Sequence, residues 1–469
     1  MRSGTRIHAV MAEVQAKIAS RTYLPGTRLP SVRAQAHNMK VSISTVVEAY
    51  ERLMAEGIII SKQGSGYYVN GPIVPLALGQ IGPKIDREVN PLWISRQSLE
   101  TTDPNVLKPG CGWLPSTCLY EMGMRRALRH LAKAEASNLV EYATPLGHPA
   151  LRHLLSRRLA THGIEATTDQ IMLTDSGTQA IDLICRFLLE PDDIVLVDDP
   201  CYFNFHALLK AHRVKVIGIP YTPNGPDLDM FEAALKEYSP RLYITNSGIH
   251  NPTGAVLSPV IAHKLLKLVD HTDLVIIEDD IFTDFEVTPA PRLASFDGLS
   301  RVVQIGSFSK TVSASLRCGY IAARSDWIEN LVDLKIATSF GGSRLAEEMV
   351  HMTLTDSGYR RHMEKVRSQL ADAMIKTSTK LKAIGIQPWI VPQAGIFLWC
   401  TLPQGLDATV IARACLQDRI ILAPGNAFSQ SLSASSFLRF NVAQSNDDRI
   451  FDTLKRALSE HKINQSSLI

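Results

Sequence analysis

The sequence predicts an α/β protein in two unequal parts: a small N-terminal head of three helices and a two-stranded hairpin, and a body built on a mostly parallel sheet with helices on both faces. Three observations predict it. Apolar residues recur at helical spacing as far as Met54 and then give way to two short β-rich runs around a Gly-containing turn. A Gly- and Pro-rich stretch follows. Beyond it, amphipathic helical stretches alternate with short β-rich runs, the pattern of parallel strands joined by crossover helices.

In the head, Ile7, Val10, Met11, Val14 and Ile18 mark a first helix, broken at Leu24-Pro25-Gly26-Thr27. Ser31 can cap a second helix, Val32 to Met39. Ser42 or Ser44 can cap a third, with Val46, Val47, Tyr50, Leu53 and Met54 on its buried face. Ile58-Ile59-Ile60 and Tyr67-Tyr68-Val69 flank Gly64-Ser65-Gly66 as a hairpin. The head is therefore expected over 1–70. Residues 71–110 hold ten Gly or Pro and are read as a linker, leaving 111–469 as the body. Strands are expected at Ile194–Val197, Leu242–Ile244 and Leu274–Ile277. After about residue 345 a long helix and strands near Ile396–Cys400 and Phe437–Asn441 suggest a smaller C-terminal lobe.

Composition narrows the classes. With 469 residues, 45% hydrophobic and 20% charged, the chain can bury a large core, so a disordered or fibrous protein is excluded. No apolar run is long enough for a spanning helix, and His8, Glu13, Gln15 and Lys17 interrupt any signal core, so a cytoplasmic location is expected. Seven cysteines without a Cys-x-x-Cys pair fit reduced, buried thiols, and no metal site is expected. Residues 1–70 carry nine Lys or Arg against four Glu, while the rest is near neutral, so any polyanion partner belongs to the head.

A helix entering a DNA groove needs a polar first turn, a bracing helix and cations aimed at phosphates. Ser42, Ser44 and Thr45 supply the turn; Arg33 and Arg52 supply cations, and Lys62 precedes the hairpin tip. On composition alone, a small docking or oligomerisation module with a basic face is equally compatible. The run Pro25-Gly26-Thr27-Arg28-Leu29-Pro30-Ser31-Val32-Arg33, the segment Val41–Leu53 and the Gly-x-Gly-aromatic hairpin resemble the winged helix-turn-helix of GntR-type regulators. That resemblance implies operator contacts from Arg28, Arg33, Ser42, Ser44, Thr45, Arg52 and the wing tip Gly64, Ser65 and Gly66. Many relatives have Arg where this chain has Ile43, which can meet a thymine methyl but cannot bond guanine.

In the body, Ser307-Phe308-Ser309-Lys310 follows the strand-like Val302–Ile305, with Arg317 seven residues on. Asp279 ends the run Leu274–Glu278, where a buried carboxylate wants a cation. Asn251-Pro252-Thr253-Gly254 presents an amide from a rigid turn. Ser176-Gly177-Thr178-Gln179 precedes an apolar helix whose free amides can hold a phosphate, and Tyr202 follows Asp199-Pro200-Cys201. Each alone has a plain reading as a loop, cap, turn or packed ring. Together they supply what pyridoxal-phosphate chemistry needs: an amine, an acid for the ring nitrogen, a donor to the ring oxygen, a stacking group and a phosphate cradle.

In sequence and order, over about 110–465, these motifs resemble the fold-type I aminotransferases, class I and II. The resemblance implies that Lys310 carries the internal aldimine of pyridoxal 5'-phosphate, Asp279 pairs with the pyridine nitrogen and Asn251 bonds the phenolic oxygen. Tyr202 would stack on the ring. Ser176, Gly177, Thr178, Gln179, Ser307, Ser309 and Arg317 would surround the phosphate. Arg439, in Leu438-Arg439-Phe440-Asn441, would bind an effector or substrate carboxylate, and Tyr142 would reach the phosphate of a neighbouring subunit, so a homodimer is implied. One departure concerns the ring oxygen: relatives carry a Tyr two or three residues after the pyridine-pairing Asp, where this chain has Ile281 and Phe282. Weak transamination at most is expected.

Head and body in this order resemble the MocR subfamily of GntR-type regulators. The expected function is a transcriptional regulator that senses an amino compound at Lys310 and alters its binding to double-stranded operator DNA as a homodimer, with heads exchanged between subunits or not. A metabolic aminotransferase with an accessory head and a sensor of the cofactor itself are the competing readings.

Overall fold

The computed structural model describes residues 3–19, 23, 26–62, 65–70, 96, 98–100, 103–403 and 405–466. The chain divides into two compact units, 1–85 and 86–469. The wing-tip residue Gly64 and the linker as far as residue 95 lie outside the described residues.

The head is three helices and a hairpin: α1 (Ser3–Ala19), α2 (Val32–Met39), α3 (Ile43–Ala55), β1 (Ile59–Lys62) and β2 (Gly66–Val69). Both helix starts follow the capping logic of the sequence: Ser31 Oγ accepts from Ala34 N at 3.2 Å, and Ser42, rather than Ser44, accepts from Thr45 N at 3.2 Å. Val10, Val14, Val46, Ala49, Tyr50, Leu53 and Ile59 form its core. Val47 and Met54 are only half-buried; Ala49 occupies the inner face instead. The segment after the first helix zips onto the wing, with Leu29 N bonding Tyr67 O (2.8 Å) and Val69 N bonding Thr27 O (2.9 Å).

The body is organised by an eight-stranded sheet of order β3-β10-β9-β8-β7-β4-β5-β6. Its strands are β3 (Ile171–Thr174), β4 (Ile194–Asp199), β5 (Lys215–Thr222), β6 (Gly225–Pro226), β7 (Leu242–Thr245), β8 (Val275–Asp279), β9 (Val302–Ser307) and β10 (Gly319–Ala322). From β9 to β5 the neighbours are parallel; β10 runs against both β3 and β9, and β6 against β5. Alternate residues of one strand enter different cores. Leu274 and Ile276 pack on one face while Val275 and Ile277 pack on the other, which is why these strands read as unbroken apolar runs. The smaller sheet, order β11-β12-β14-β13, is antiparallel: β11 (Gln387–Pro388), β12 (Phe397–Thr401), β13 (Ala423–Pro424) and β14 (Phe437–Asn441). The helix Tyr359–Ala383 leads into it.

The far end of the expected linker is part of the body. Leu107 N bonds Arg419 O, Gly110 N bonds Ile421 O (2.9 Å), and Asn441 N donates to Pro109 O (2.6 Å). Glycine is required at 110 because a Cβ there would lie 2.5 Å from the backbone of Leu422 and Ala423. Among the described residues, no helix is long and apolar enough to cross a membrane. All seven cysteines are unpaired.

Candidate functional site

Parallel strands deliver their carboxyl ends to one edge of the sheet, and there the predicted residues meet. Asp279 ends β8 and Ser307 ends β9; Ser176, Tyr202 and Asn251 lie in the loops just beyond β3, β4 and β7. The segment 109–113 crosses the same edge. Lys310 Nζ donates to Gly112 O at 2.6 Å, and a Cβ built on Gly112 would sit 3.7 Å from Arg439 Nη2 and 3.9 Å from Lys310 Nζ. Glycine therefore leaves open the space between the amine and the guanidinium.

Arg439 is fully buried on β14. Its Nη1 donates to Asn251 Oδ1 (2.9 Å) and its Nη2 to Gly110 O (2.8 Å), while Nε has no hydrogen-bond partner among the described residues. The guanidinium lies 4.1 Å from the centre of the Phe397 ring and 4.6 Å from that of Phe428. A buried cation with a spare donor is built for an anion. Burial lowers Arg439 to about 10. Burial first, and then the positive charge of Arg439, lower Lys310 to about 8.

Asp279 is buried and pushed up to about 7 by desolvation. Its Oδ1 accepts from Ile281 N at 3.2 Å, and no ion pair compensates it among the described residues. A protonated pyridine nitrogen is the kind of donor such a carboxylate lacks.

The helix Gly177–Leu188 starts beside the β9 exit, where donors suited to a phosphate converge. Ser307 Oγ lies 3.0 Å from Ser309 Oγ, Arg317 Nη1 reaches Ser309 Oγ at 3.5 Å, and a Cβ on Gly177 would lie 3.8 Å from Ser307 Cβ. Free helix amides, two hydroxyls and a guanidinium suit a dianion. Arg317 holds φ at +48°, a left-handed conformation costly for a residue with a Cβ, at the turn that aims its side chain. Gln179 differs from expectation: its amide turns back on Asp175, with Oε1 accepting from Asp175 N (2.6 Å) and Nε2 donating to Asp175 Oδ2 (3.1 Å). Its side chain braces the helix start.

Tyr142 is not brought to this site within the chain; it is 80% exposed and its ring packs on Phe340 at 5.1 Å. Phe282 is buried against Phe285 and Phe397 and offers no hydroxyl. The support beneath Asn251 carries no local signal in the sequence. His250 stacks on Tyr221 at 3.8 Å, bonds Thr253 Oγ1 at 2.7 Å and lies 3.3 Å from Asp198 Oδ2, which fixes the turn from below. Gly112 likewise has no local pattern to mark it, and Phe397 and Phe428 are distant in sequence from the other site residues but Arg439.

In the head, Arg28, Arg33, Ser42, Ile43, Ser44 and Lys62 are exposed and Thr45 is half-buried. Arg28 lies along the wing, its Nε 3.4 Å from a Cβ built on Gly66, and Ser65 Oγ bonds Tyr68 Oη at 2.6 Å. Arg52 is paired with Glu48, through Nε at 3.0 Å and Nη2 at 2.9 Å, so its cation is shared along the helix.

A buried amine, an unpaired acid, a spare guanidinium donor and a phosphate cradle at a parallel-sheet edge define a pyridoxal-phosphate-binding fold joined to a helix-turn-helix head. The chain belongs to the aminotransferase class I and II family, which it matches over residues 119–456, and residues 6–69 match the bacterial regulatory proteins of the gntR family. The two together make a MocR-like architecture, and the family and donor set imply pyridoxal phosphate as cofactor. The chain is 29% identical over 440 residues to the HTH-type transcriptional regulator YdcR of Escherichia coli, covering 92% of this chain and 93% of that one. With the regulator NorG of Staphylococcus aureus it shares 27% over 439 residues, 90% of this chain and 97% of that one. Among solved structures, the body resembles the α-aminoadipate aminotransferase LysN of Thermus thermophilus (TM-score 0.71, 24% identity, 78% of this chain and 94% of that one). It also resembles the kynurenine aminotransferase of Pyrococcus horikoshii (TM-score 0.72, 23% identity, 78% and 94%).

Proposed function

We propose that the protein is a pyridoxal-phosphate-dependent transcriptional regulator that senses an amino compound and changes its grip on operator DNA. The observation that carries this reading is the union, in one chain, of a basic winged head and a pocket in which Lys310 and Arg439 face each other across Gly112. When bound, the cofactor supplies an aldehyde carbon that can exchange one amine for another. Lys310 provides the resident amine. Arg439 takes the carboxylate of an incoming amino acid, Asp279 holds the ring nitrogen's proton, Asn251 donates to the ring oxygen, Tyr202 covers the ring, and Ser176, Gly177, Thr178, Ser307, Ser309 and Arg317 hold the phosphate. In the head, Arg28, Arg33, Ser42, Ser44, Thr45 and the wing tip meet the duplex.

Phe282 argues for sensing over turnover, because the ring oxygen loses a donor that would help keep the Lys310 linkage reactive near neutral pH. A homodimer fits the exposed apolar group of Val140, Tyr142 and Phe340, which a second copy can cover while Tyr142 reaches that copy's phosphate. The chromosome as target makes the cytoplasm its place of work.

The test is an absorbance titration with pyridoxal phosphate of wild type and Lys310→Ala, combined with operator binding with and without candidate amino acids. Expected are a visible band lost in Lys310→Ala and an amine-dependent shift in operator affinity. A Lys310→Ala protein with the same band, or an operator affinity no amine alters, overturns the proposal. Turnover of amino donor and acceptor at the rate of a dedicated aminotransferase supports the metabolic reading instead.

A further inference from the structure

In the head, Ile43 is the one large apolar residue of α3 that stands exposed. Val46, Ala49, Tyr50 and Leu53 are completely buried, yet Ile43, on the first turn, is 53% exposed. The polar groups around it are already occupied. Ser42 Oγ caps Thr45 N and lies 2.9 Å from Ser44 Oγ and 2.7 Å from Thr45 Oγ1, so the hydroxyls largely satisfy one another. Further along, the outward face of the helix turns acidic. Glu48 holds Arg52 at 2.9 Å and Glu51 is exposed, so that half of the helix would meet phosphate with like charge. Only the first turn is suited to a groove; Lys40, three residues before Ile43, is exposed, as is Arg33 on α2.

A large aliphatic side chain in that place can contact one feature of the major groove that is itself apolar, the 5-methyl group of thymine. We infer that Ile43 is a specificity-determining residue of the head and selects a T·A pair in each half-site by packing on the thymine methyl. This rests on the reading of the head as an operator-binding module.

The experiment selects duplexes from a randomised pool with the full chain and then replaces each selected thymine by uracil, which deletes only the methyl group. Wild type is expected to lose about fourfold in affinity at one position per half-site, the worth of about one methyl group withdrawn from water. Ile43→Ala is expected to be indifferent to that replacement. Ile43→Arg, which keeps the exposed helix start intact, is expected to select guanine there. Selected sites whose binding by wild type survives every thymine-to-uracil change overturn the inference and leave the regulator reading standing. So does an Ile43→Ala protein as sensitive to uracil as wild type. Failure to enrich any sequence, with no duplex binding at all, overturns the regulator reading and this inference with it.

Discussion

Lys310 and Asp279 are both drawn toward neutrality from their ordinary positions, each because burial penalises its charged form. With Lys310 at about 8, roughly one amine in ten is neutral at pH 7, against about one in three thousand for an unperturbed lysine. Only the neutral amine captures an aldehyde. Cofactor uptake by the apo-protein should therefore accelerate with pH and level off near 8. Because the charge of Arg439 helps to lower that value, Arg439→Met should move the plateau upward, as followed by absorbance after mixing. A plateau near the free-lysine value in wild type would contradict the geometry of the pocket. Asp279 predicts a stability signature of the other sign. Raised to about 7 from 3.8, it keeps a proton in the folded apo-protein that the unfolded chain releases. Its contribution is whole below about pH 4 and is lost as pH rises through about 7, on the order of 4 kcal/mol for the full shift. Denaturant midpoints of apo wild type should fall over that window, and those of Asp279→Asn should not.

Strands and loops hold these residues by close backbone approach, and two glycines separate the fold's needs from the ligand's. A Cβ on Gly319, at the start of β10, would lie 2.8 Å from Gly306 O and 3.0 Å from Gly177 N, against backbone that cannot yield. Gly319→Ala should push β10 away from the start of the helix at 177 and weaken cofactor binding about tenfold or more, since overpacking costs about 1–3 kcal/mol. Gly112→Ala meets only ordinary contacts at 3.7 and 3.9 Å. Its melting temperature and cofactor titration should match wild type, while the amine concentration needed for half response rises roughly tenfold. Legibility in the sequence follows the same division. The strands at 194–197, 242–244 and 274–277 and the helix starts at Ser31 and Ser42 were readable because periodicity and caps are local, and the motifs around Lys310, Asp279 and Asn251 mark loops that the structure brings to one sheet edge. The antiparallel insertion of β10, the docking of 103–111 on the smaller lobe and the turning of Gln179 onto Asp175 were not. Each depends on partners far along the chain or on a choice among polar neighbours that spacing leaves open.

At the scale of the molecule, head and body are separate compact units, so any message between them is an equilibrium between states to which both ligands contribute. An amine can change operator affinity only by the ratio of its own affinities for the operator-competent and incompetent states, typically about 5- to 150-fold for such couplings. Reciprocity follows: operator DNA must change the amine's affinity for the holo-protein by the same factor and in the same sense. Both arms are measurable, one by operator titration at saturating amine, the other by amine titration at saturating operator, read from the cofactor's absorbance. Equal factors are expected for wild type. Arg439→Gln would remove the proposed charge partner of the carboxylate, at a position within the body unit. It should leave operator binding without amine unchanged and bring both factors toward one for amino acids, with less effect for amines that lack a carboxylate. A shift in operator affinity without its counterpart in amine affinity would mean that the amine acts somewhere other than the pocket framed by Lys310, Asn251 and Arg439.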